Sequence, residues 1–359
     1  MQLPFLRLGS KSVIGLDIGS SAVKAVEVVQ RGDSFELLHL GIAPLPHDAI
    51  VEGAFLNASA IADAIREAIA KSGSKAKHAA AAVSGHSVIV KKISVPAMTA
   101  AELEESIRWE AEQYIPFDVN EVNLDFEILQ AGDAERPMEV LLVAAKKDLI
   151  DDYVNLITEA GLTPSVIDVA GFAVENAFET NYAGTMNPDE VVAIINIGAQ
   201  TSTINVLANG VPAFTRDVAT GGNQYTAEIQ RALSVGFDEA ERIKIGERGP
   251  ESQDVVPQEV EQAMRAVTNN LVGEIARSLD FFSATAADLR IQRVYLAGGS
   301  SRVSGLEAAF KDRTGLEIEL MNPLAKMLPS NRFDAEFLDQ VGPSLGVGIG
   351  LAMRRVDEP

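Results

Sequence analysis

The sequence predicts an α/β protein of two domains, with a small α+β unit inserted in the first. The stretch "VIGLDIGSSAVKAVEV", Val13 to Val28, is an apolar run broken once, at Asp17 and the turn residues Gly19, Ser20 and Ser21; it then resumes with period-two alternation. A second stretch, "IINIGAQTSTINVL" from Ile194, repeats the device, with Asp17 aligned to Asn196 and Gly19 to Gly198 at one constant offset. Elsewhere, apolar strands run through glycine pairs into helical patterns.

Each copy reads as a tight β-hairpin whose glycine permits the turn. Desolvating a carboxylate at the end of an apolar strand is costly, so Asp17 needs a partner. The hydroxyls and backbone N–H groups of the turn suit an anion better than they suit Asp17. A phosphate with a bound cation would use both halves. Two strand–glycine–helix junctions follow the same logic. In "VYLAGGSSRVSGL", Val294 to Leu306, a strand runs into Gly298, Gly299, Ser300 and Ser301, with a helix from near Ser304. In "RDVATGGNQYTAEI", Arg216 to Ile229, Gly221 and Gly222 precede a helix capped near Thr226. Such glycines let backbone N–H groups approach an anion. One glycine cluster is an ordinary turn; two matched hairpins and two junctions fit a grip on the phosphates of one nucleotide.

The inserted unit is expected over about 87–165. In "ISVPAMTAAELEESIRWEAEQYIPFDVNEVNLDFEIL", Ile93 to Leu129, Thr99 and Glu102 form a capping box, and Leu103, Ile107, Ala111 and Tyr114 share a helical face. Pro116 stops that helix. The lone Trp109 reads as a packing residue. "VNLDFEIL" and "MEVLLVAAKK" read as strands, and Asp148 to Ala160 as a second helix ended by Gly161. The first domain is expected over 1–187 plus 341–359, after a linker in "NYAGTMNPDE", and the second over 188–340, mainly helical from 223 to 290. There "GERGPESQDVVPQE" reads as an acidic loop, and Val267, Leu271, Ile275 and Leu279 as one face of an amphipathic helix. Gly342, Gly346, Gly348 and Gly350 thin the last helix for close packing at the hinge.

Composition narrows the chemistry. A formal net charge of −21, from 30 basic and 51 acidic residues, argues against a nucleic-acid binder. The absence of cysteine excludes disulfides, thiolate zinc and a cysteine nucleophile. The four histidines show no metal-ligand spacing, and no Ser–His–Asp order stands out. "MQLPFLRLGSKSV" is not a secretory signal. The longest uncharged run, Val191 to Thr215, contains Asn196, Gln200 and Pro212 and reads as strand–turn–strand, not as a membrane helix. A cytoplasmic protein without direct membrane insertion is expected.

The order of these motifs is similar to that of the superfamily of actin, sugar kinases and DnaK chaperones. The first hairpin resembles its first phosphate motif, Ile194 to Leu207 its second, and "LAGGSSRVSGL" its adenosine motif; Val166 to Phe178 and Val341 to Arg354 resemble its two connecting helices. Within it, "WEAEQYIPFD" resembles the PilM family of type IV pilus assembly proteins, and "FTRDVATGGNQYTAEI" is shared with FtsA-type cell-division proteins. The resemblance implies an actin-like (ribonuclease H-like) two-domain nucleotide-binding fold, with ATP and Mg2+ as cofactors. It implies Asp17 as a metal-associated carboxylate, with Gly19, Ser20, Ser21 and Lys24 at the phosphates. Asn196, Gly198, Gln200, Thr201 and Ser202 would face them from the other side. Gly221 and Gly222 offer N–H groups, Gly298, Gly299 and Ser300 lie against sugar and α-phosphate, Arg302 near the base, and Glu241 with Lys244 on ribose and adenine. Lys24 reads equally as an exposed hairpin residue, and Glu241–Lys244 equally as a surface ion pair worth little.

Asn196 is a departure, since many hydrolysing relatives carry aspartate there. An amide supplies neither a charged metal ligand nor a general base. Slow or no ATP hydrolysis is therefore expected, with no catalytic residue assigned. The implied partners are the N-terminal cytoplasmic peptide of PilN, received beside the small unit, and pilus motor ATPases. These would place the protein at the inner membrane through its partners, in twitching motility. Two other readings are an FtsA-like polymerising ATPase and a sugar-kinase-type phosphotransferase. The first lacks an amphipathic anchor in "AMRRVDEP"; Asn196 and the insert speak against the second.

Overall fold

A computed structural model describes residues 12–133, 135–187, 189–246, 258–286, 289–328 and 331–356. Residues 247–257 of the expected acidic loop, Pro188 of the linker, residues 1–11 and residues 357–359 lie outside them. The chain runs β1 (Val13–Ile18), β2 (Ala22–Arg31), β3 (Ser34–Pro44), the short ribbon β4 (Ile50–Val51) and β5 (Ala54–Phe55), α1 (Ala58–Ser72) and β6 (His78–Val83). Then come β7 (Val88–Val95), α2 (Ala100–Ala111), β8 (Val122–Gln130), β9 (Met138–Lys146), α3 (Lys147–Glu159), β10 (Thr163–Val169) and α4 (Ala170–Tyr182). The remainder is β11 (Val191–Ile197), β12 (Ser202–Ala208), β13 (Val211–Val218), α5 (Gly222–Leu233), α6 (Phe237–Lys244), α7 (Gln258–Thr285), β14 (Arg293–Ala297), α8 (Leu306–Thr314), β15 (Glu317–Leu320), α9 (Ala335–Val341) and α10 (Gly346–Ala352).

The duplication read in the sequence extends to whole sheets. One has the order β10-β6-β1-β2-β3 and the other β15-β14-β11-β12-β13. In each, the central strand pairs antiparallel with the hairpin strand that follows it and parallel with a later strand on its other side. Both central strands are nearly continuous apolar runs, as strands covered on both faces must be. The uncharged run from Val191 becomes β11, β12 and β13, as expected. Val267, Leu271, Ile275 and Leu279 of α7 are buried in one core with Ile195, Ile204 and Val206. In the other unit α1 starts at Asn57, whose side chain accepts from Ala60 N, and ends at Gly73 in the left-handed conformation.

Compactness separates the chain into Met1–Val83, Leu149–Asn181 and Pro323–Pro359 on one hand, and Ser84–Asp148 with Tyr182–Asn322 on the other. The insert was expected within the first domain and as far as 165. Its three-stranded sheet, β7-β9-β8, instead ends at Lys146, and compactness groups it with the second unit. The physical reason is pairing: β10 bonds in parallel to β6, which commits the chain after α3 to the first sheet. Val166–Phe178 accordingly divides into the end of β10 and the start of α4. Val341–Arg354 is likewise broken, with a 3-10 turn over Gly342–Leu345 before α10. Pro343 has no N–H for an α-helical bond there.

In the small unit the capping box forms as read: Glu102 N donates to Thr99 Oγ1 at 3.3 Å and Thr99 N to Glu102 Oε2 at 2.8 Å. Leu103, Ile107 and Ala111 pack on Ile93, Val140 and Leu142. Trp109 does not pack and is 66% exposed. At about 100° per residue it lies roughly opposite Ile107 on the helix, so the face that buries Ile107 turns Trp109 outward. Trp109→Ala is expected to change stability by less than about 0.5 kcal/mol in denaturant unfolding; a loss of about 3 kcal/mol would mean a packed ring.

Candidate functional site

In the first hairpin Gly19 N donates across the turn to Ala22 O at 3.1 Å. Asp17 and Lys24 are cross-strand partners, and Lys24 Nζ lies 2.9 Å from Asp17 Oδ2. Their side chains are only 16% and 14% exposed, so the partner that Asp17 requires is Lys24, which is not an exposed hairpin residue. Tyr153 of α3 is buried near this pair: burial raises the pKa of its hydroxyl, and the Asp17 charge adds to the effect. Ser20 is half-buried at the turn, and the exposed Ser21 uses its carbonyl to accept from Leu45 N at 2.9 Å.

The second hairpin repeats this geometry. Gly198 N donates to Thr201 O at 2.9 Å, and Asn196 faces Thr203 as Asp17 faces Lys24. Around it the second unit gathers both glycine junctions. Gly222 N donates to Gly198 O at 2.9 Å and Asn223 N to Ala199 O at 2.7 Å, while Ser300 N reaches Ile197 O and Ser300 Oγ reaches Gly198 O, each at 3.0 Å. The crowding requires glycine. A Cβ on Gly221 would lie 2.7 Å from the carbonyl oxygens of Gly198 and Ala199, and one on Gly222 would collide with Ser300 Oγ. Gly298 has φ +93°, and a Cβ there would lie 2.7 Å from Ile197 N.

Lys244 completes this cluster. Its side chain is 7% exposed; Nζ lies 2.7 Å from Glu241 Oε1 and donates to Thr226 Oγ1 at 3.2 Å, with Gly222 O at 3.4 Å. Thr226 Oγ1 in turn donates to Glu241 Oε2 at 2.6 Å. Glu241–Lys244 is therefore not a surface pair, and Lys244 is held against the start of α5. Thr226 does not cap α5: Gly221 is the N-cap, and Thr226 lies inside the helix as part of this network, a role with no signal in the sequence. Ser202 departs from expectation too, since it is buried at the start of β12, a strand buried along nearly its whole length, and its hydroxyl donates to Thr220 O at 2.7 Å. Gln200 and Thr201 are half-buried at the turn, and Gly299 and Arg302 are exposed on the loop after β14.

The N–H groups of Gly222, Asn223 and Ser300 do not point to an anion, as the sequence suggests for Gly222: they are bonded to carbonyls at the second turn, and the three donors of Lys244 go to Glu241, Thr226 and Gly222 O, so this cluster is a rigid frame behind the Gly198–Thr201 turn. Among the described residues no group of three His, Asp or Glu side chains could hold a metal ion. Magnesium usually keeps its waters and takes one or two carboxylates plus phosphate oxygens.

Two sheets of one topology, each centred on the same strand–turn–strand, define an actin-like two-domain fold. The chain belongs to a family within that class, described as "Type IV pilus assembly protein PilM", whose model matches residues 15–356. It is 32% identical to a chain of a "PilM-PilN type IV pilus biogenesis complex", with a TM-score of 0.85 over 98% of this chain and 100% of that one. It is 25% identical over 333 residues to the cell division protein FtsA of Neisseria meningitidis, covering 81% of this chain and 79% of the relative. The ethanolamine utilization protein EutJ of Carboxydothermus hydrogenoformans shares the fold, with a TM-score of 0.58 at 16% identity over 96% of this chain and 90% of that one. Among the described residues no helix is long and apolar enough to cross a membrane.

Proposed function

We propose that this protein is an ATP-binding scaffold of the type IV pilus inner-membrane platform, holding the N-terminal cytoplasmic tail of PilN. Family membership over nearly the whole chain and likeness to the PilM–PilN complex support the partner. The observation that carries the nucleotide reading is the repeated turn, Gly19 N to Ala22 O in one unit and Gly198 N to Thr201 O in the other. The first turn offers backbone N–H groups and the Lys24 ammonium to phosphate. The second turn, Gly198 to Thr201, would face the phosphates from its own side, braced by Gly222 and Ser300, and Lys244 with Glu241 would lie toward the sugar and base. Magnesium would arrive on the phosphates, with Asp17 the nearby carboxylate to receive it. The bound ion supplies charge neutralisation.

Asn196 offers an amide where a general base would be needed, so the nucleotide acts as a ligand that is held and not turned over. The protein would sit in the cytoplasm, joined to the inner membrane through PilN. Calorimetry is expected to show Mg-ATP binding, with turnover far below the roughly 1–100 s⁻¹ of kinases. Kinase-like turnover, or no ATP binding at all, would sink the reading. Gly222→Val is expected to lower ATP affinity about tenfold or more by displacing Ser300 from Gly198, with circular dichroism unchanged.

A further inference from the structure

The two hairpins differ in where their charge sits. In the first, the row of cross-strand neighbours runs Asp17, Lys24, Ile42, so an ion pair closes within two strands. In the second, the equivalent row runs Asn196, Thr203, Asp217. The central pair is neutral, and the carboxylate stands one strand further out, on β13. It joins two segments there. Thr203 Oγ1 donates to Asp217 Oδ1 at 2.7 Å, and Gly85 N donates to Asp217 Oδ2 at 2.5 Å.

Gly85 lies in the loop that opens the small subdomain. Its φ of +89° suits glycine alone among common residues and aims its N–H at the carboxylate. The same loop is tied to both long strands beyond it: Val88 N, at the start of β7, donates to Gly85 O at 3.0 Å, and Lys146 N, at the end of β9, donates to Ser87 O at 3.1 Å. One carboxylate thus connects the strand leaving the second turn to the base of the small sheet. A hydrogen bond to an ionised acceptor is about twice as strong as a neutral one, so this is a firm polar link between these elements.

We propose that Asp217 is a positioning residue that couples nucleotide at the second hairpin to the affinity for a peptide received beside the small subdomain. The inference rests on the functional reading above. Phosphate ordering the Gly198–Thr201 turn fixes Thr203, Thr203 fixes Asp217, and Asp217 holds the Gly85 loop in the form that receives the peptide. Asp217 and Thr203 touch neither ligand in this scheme. Ordering paid for by one ligand is then spared the other, which is positive cooperativity.

The test is calorimetry on the full chain with a synthetic PilN tail peptide, with and without saturating Mg-ATP. In the unaltered protein ATP is expected to tighten peptide binding about fivefold or more, and peptide to tighten ATP binding by the same factor, as linkage requires. In Asp217→Ala, and in Thr203→Val, which removes only the hydroxyl, both ratios are expected to fall to about one, while each ligand alone binds within about threefold of its original affinity. A merely structural role would move the separate affinities and leave the ratio standing. A ratio retained in either folded variant overturns the proposal, as does a ratio of one in the unaltered protein when both ligands bind. Failure of the unaltered protein to bind ATP or peptide would instead overturn the functional reading itself.

Discussion

Gly350→Val is expected to destabilise the first unit by about 3 kcal/mol or more, leaving little soluble protein or a sharply lowered denaturation midpoint. Helix α10 is buried along its whole length. On one side it lies against the first sheet, where a Cβ on Gly15 would come 2.6 Å from Ala352 N and one on Gly348 2.8 Å from Val26 Cγ2. On another it meets α4, where a Cβ on Gly350 would lie 2.5 Å from the Ala173 carbonyl carbon and closer still to its oxygen. These neighbours are mostly backbone and cannot rotate away. Gly350→Ala separates the competing effects. Alanine gains about 1 kcal/mol of helix propensity over glycine, yet a clash with backbone costs more, so this variant too is expected to lose stability. Gly273→Ala, within α7, is the control. Only the Arg277 guanidinium lies within 4 Å of the added carbon, at 3.7 Å, and a gain of about 0.5–1 kcal/mol is expected. If Gly350→Ala also stabilised, the close crossing of α10 and α4 would be wrong.

Local chemistry was legible in the sequence where a residue type and its spacing suffice. Gly19 and Gly198 announce turns, Thr99 and Glu102 announce a helix start, and Val267, Leu271, Ile275 and Leu279 announce a buried stripe. The glycines of "GVGIGLA" announced close packing, because a helix rich in glycine gains nothing else by it. What stayed hidden depends on partners distant in the chain. Lys244 follows Glu241 by three residues on a polar helix and looks like any solvated pair, yet it lies buried against the start of α5. Asp217 is an unremarked acid in "FTRDVATGG" until the register of β12 and β13 sets it opposite Thr203. The end of the insert is not legible because α3 follows β9 without a break, and nothing local to "TPSVIDV" reveals that its ladder partner is β6. Trp109 is hidden for the opposite reason: an aromatic ring suggests burial, but its angle on α2 sends it outward.

Lys24→Met is expected to cost about 100-fold or more in ATP affinity, because two effects act with one sign. In the proposed function the ammonium is the first hairpin's charged donor to phosphate, and a charge-assisted hydrogen bond is worth about 1.5–3 kcal/mol. Its loss also strips Asp17 of its counterion, at a site where the carboxylate is only 16% exposed. An unpaired carboxylate then faces the incoming anion. Breaking a fully buried pair costs about 3–5 kcal/mol, and this partly open one should cost the folded protein less, about 1–3 kcal/mol. Asp17→Asn, compared with Lys24→Met using ATP without magnesium, separates the two effects: it removes the repulsion and keeps the ammonium, so it should lose far less affinity. Calorimetry on both variants, with thermal unfolding as the check on folding, reads the difference. Unchanged ATP affinity in a folded Lys24→Met protein would mean that the first hairpin takes no part in phosphate binding, and the nucleotide reading would then have to rest on the second turn alone.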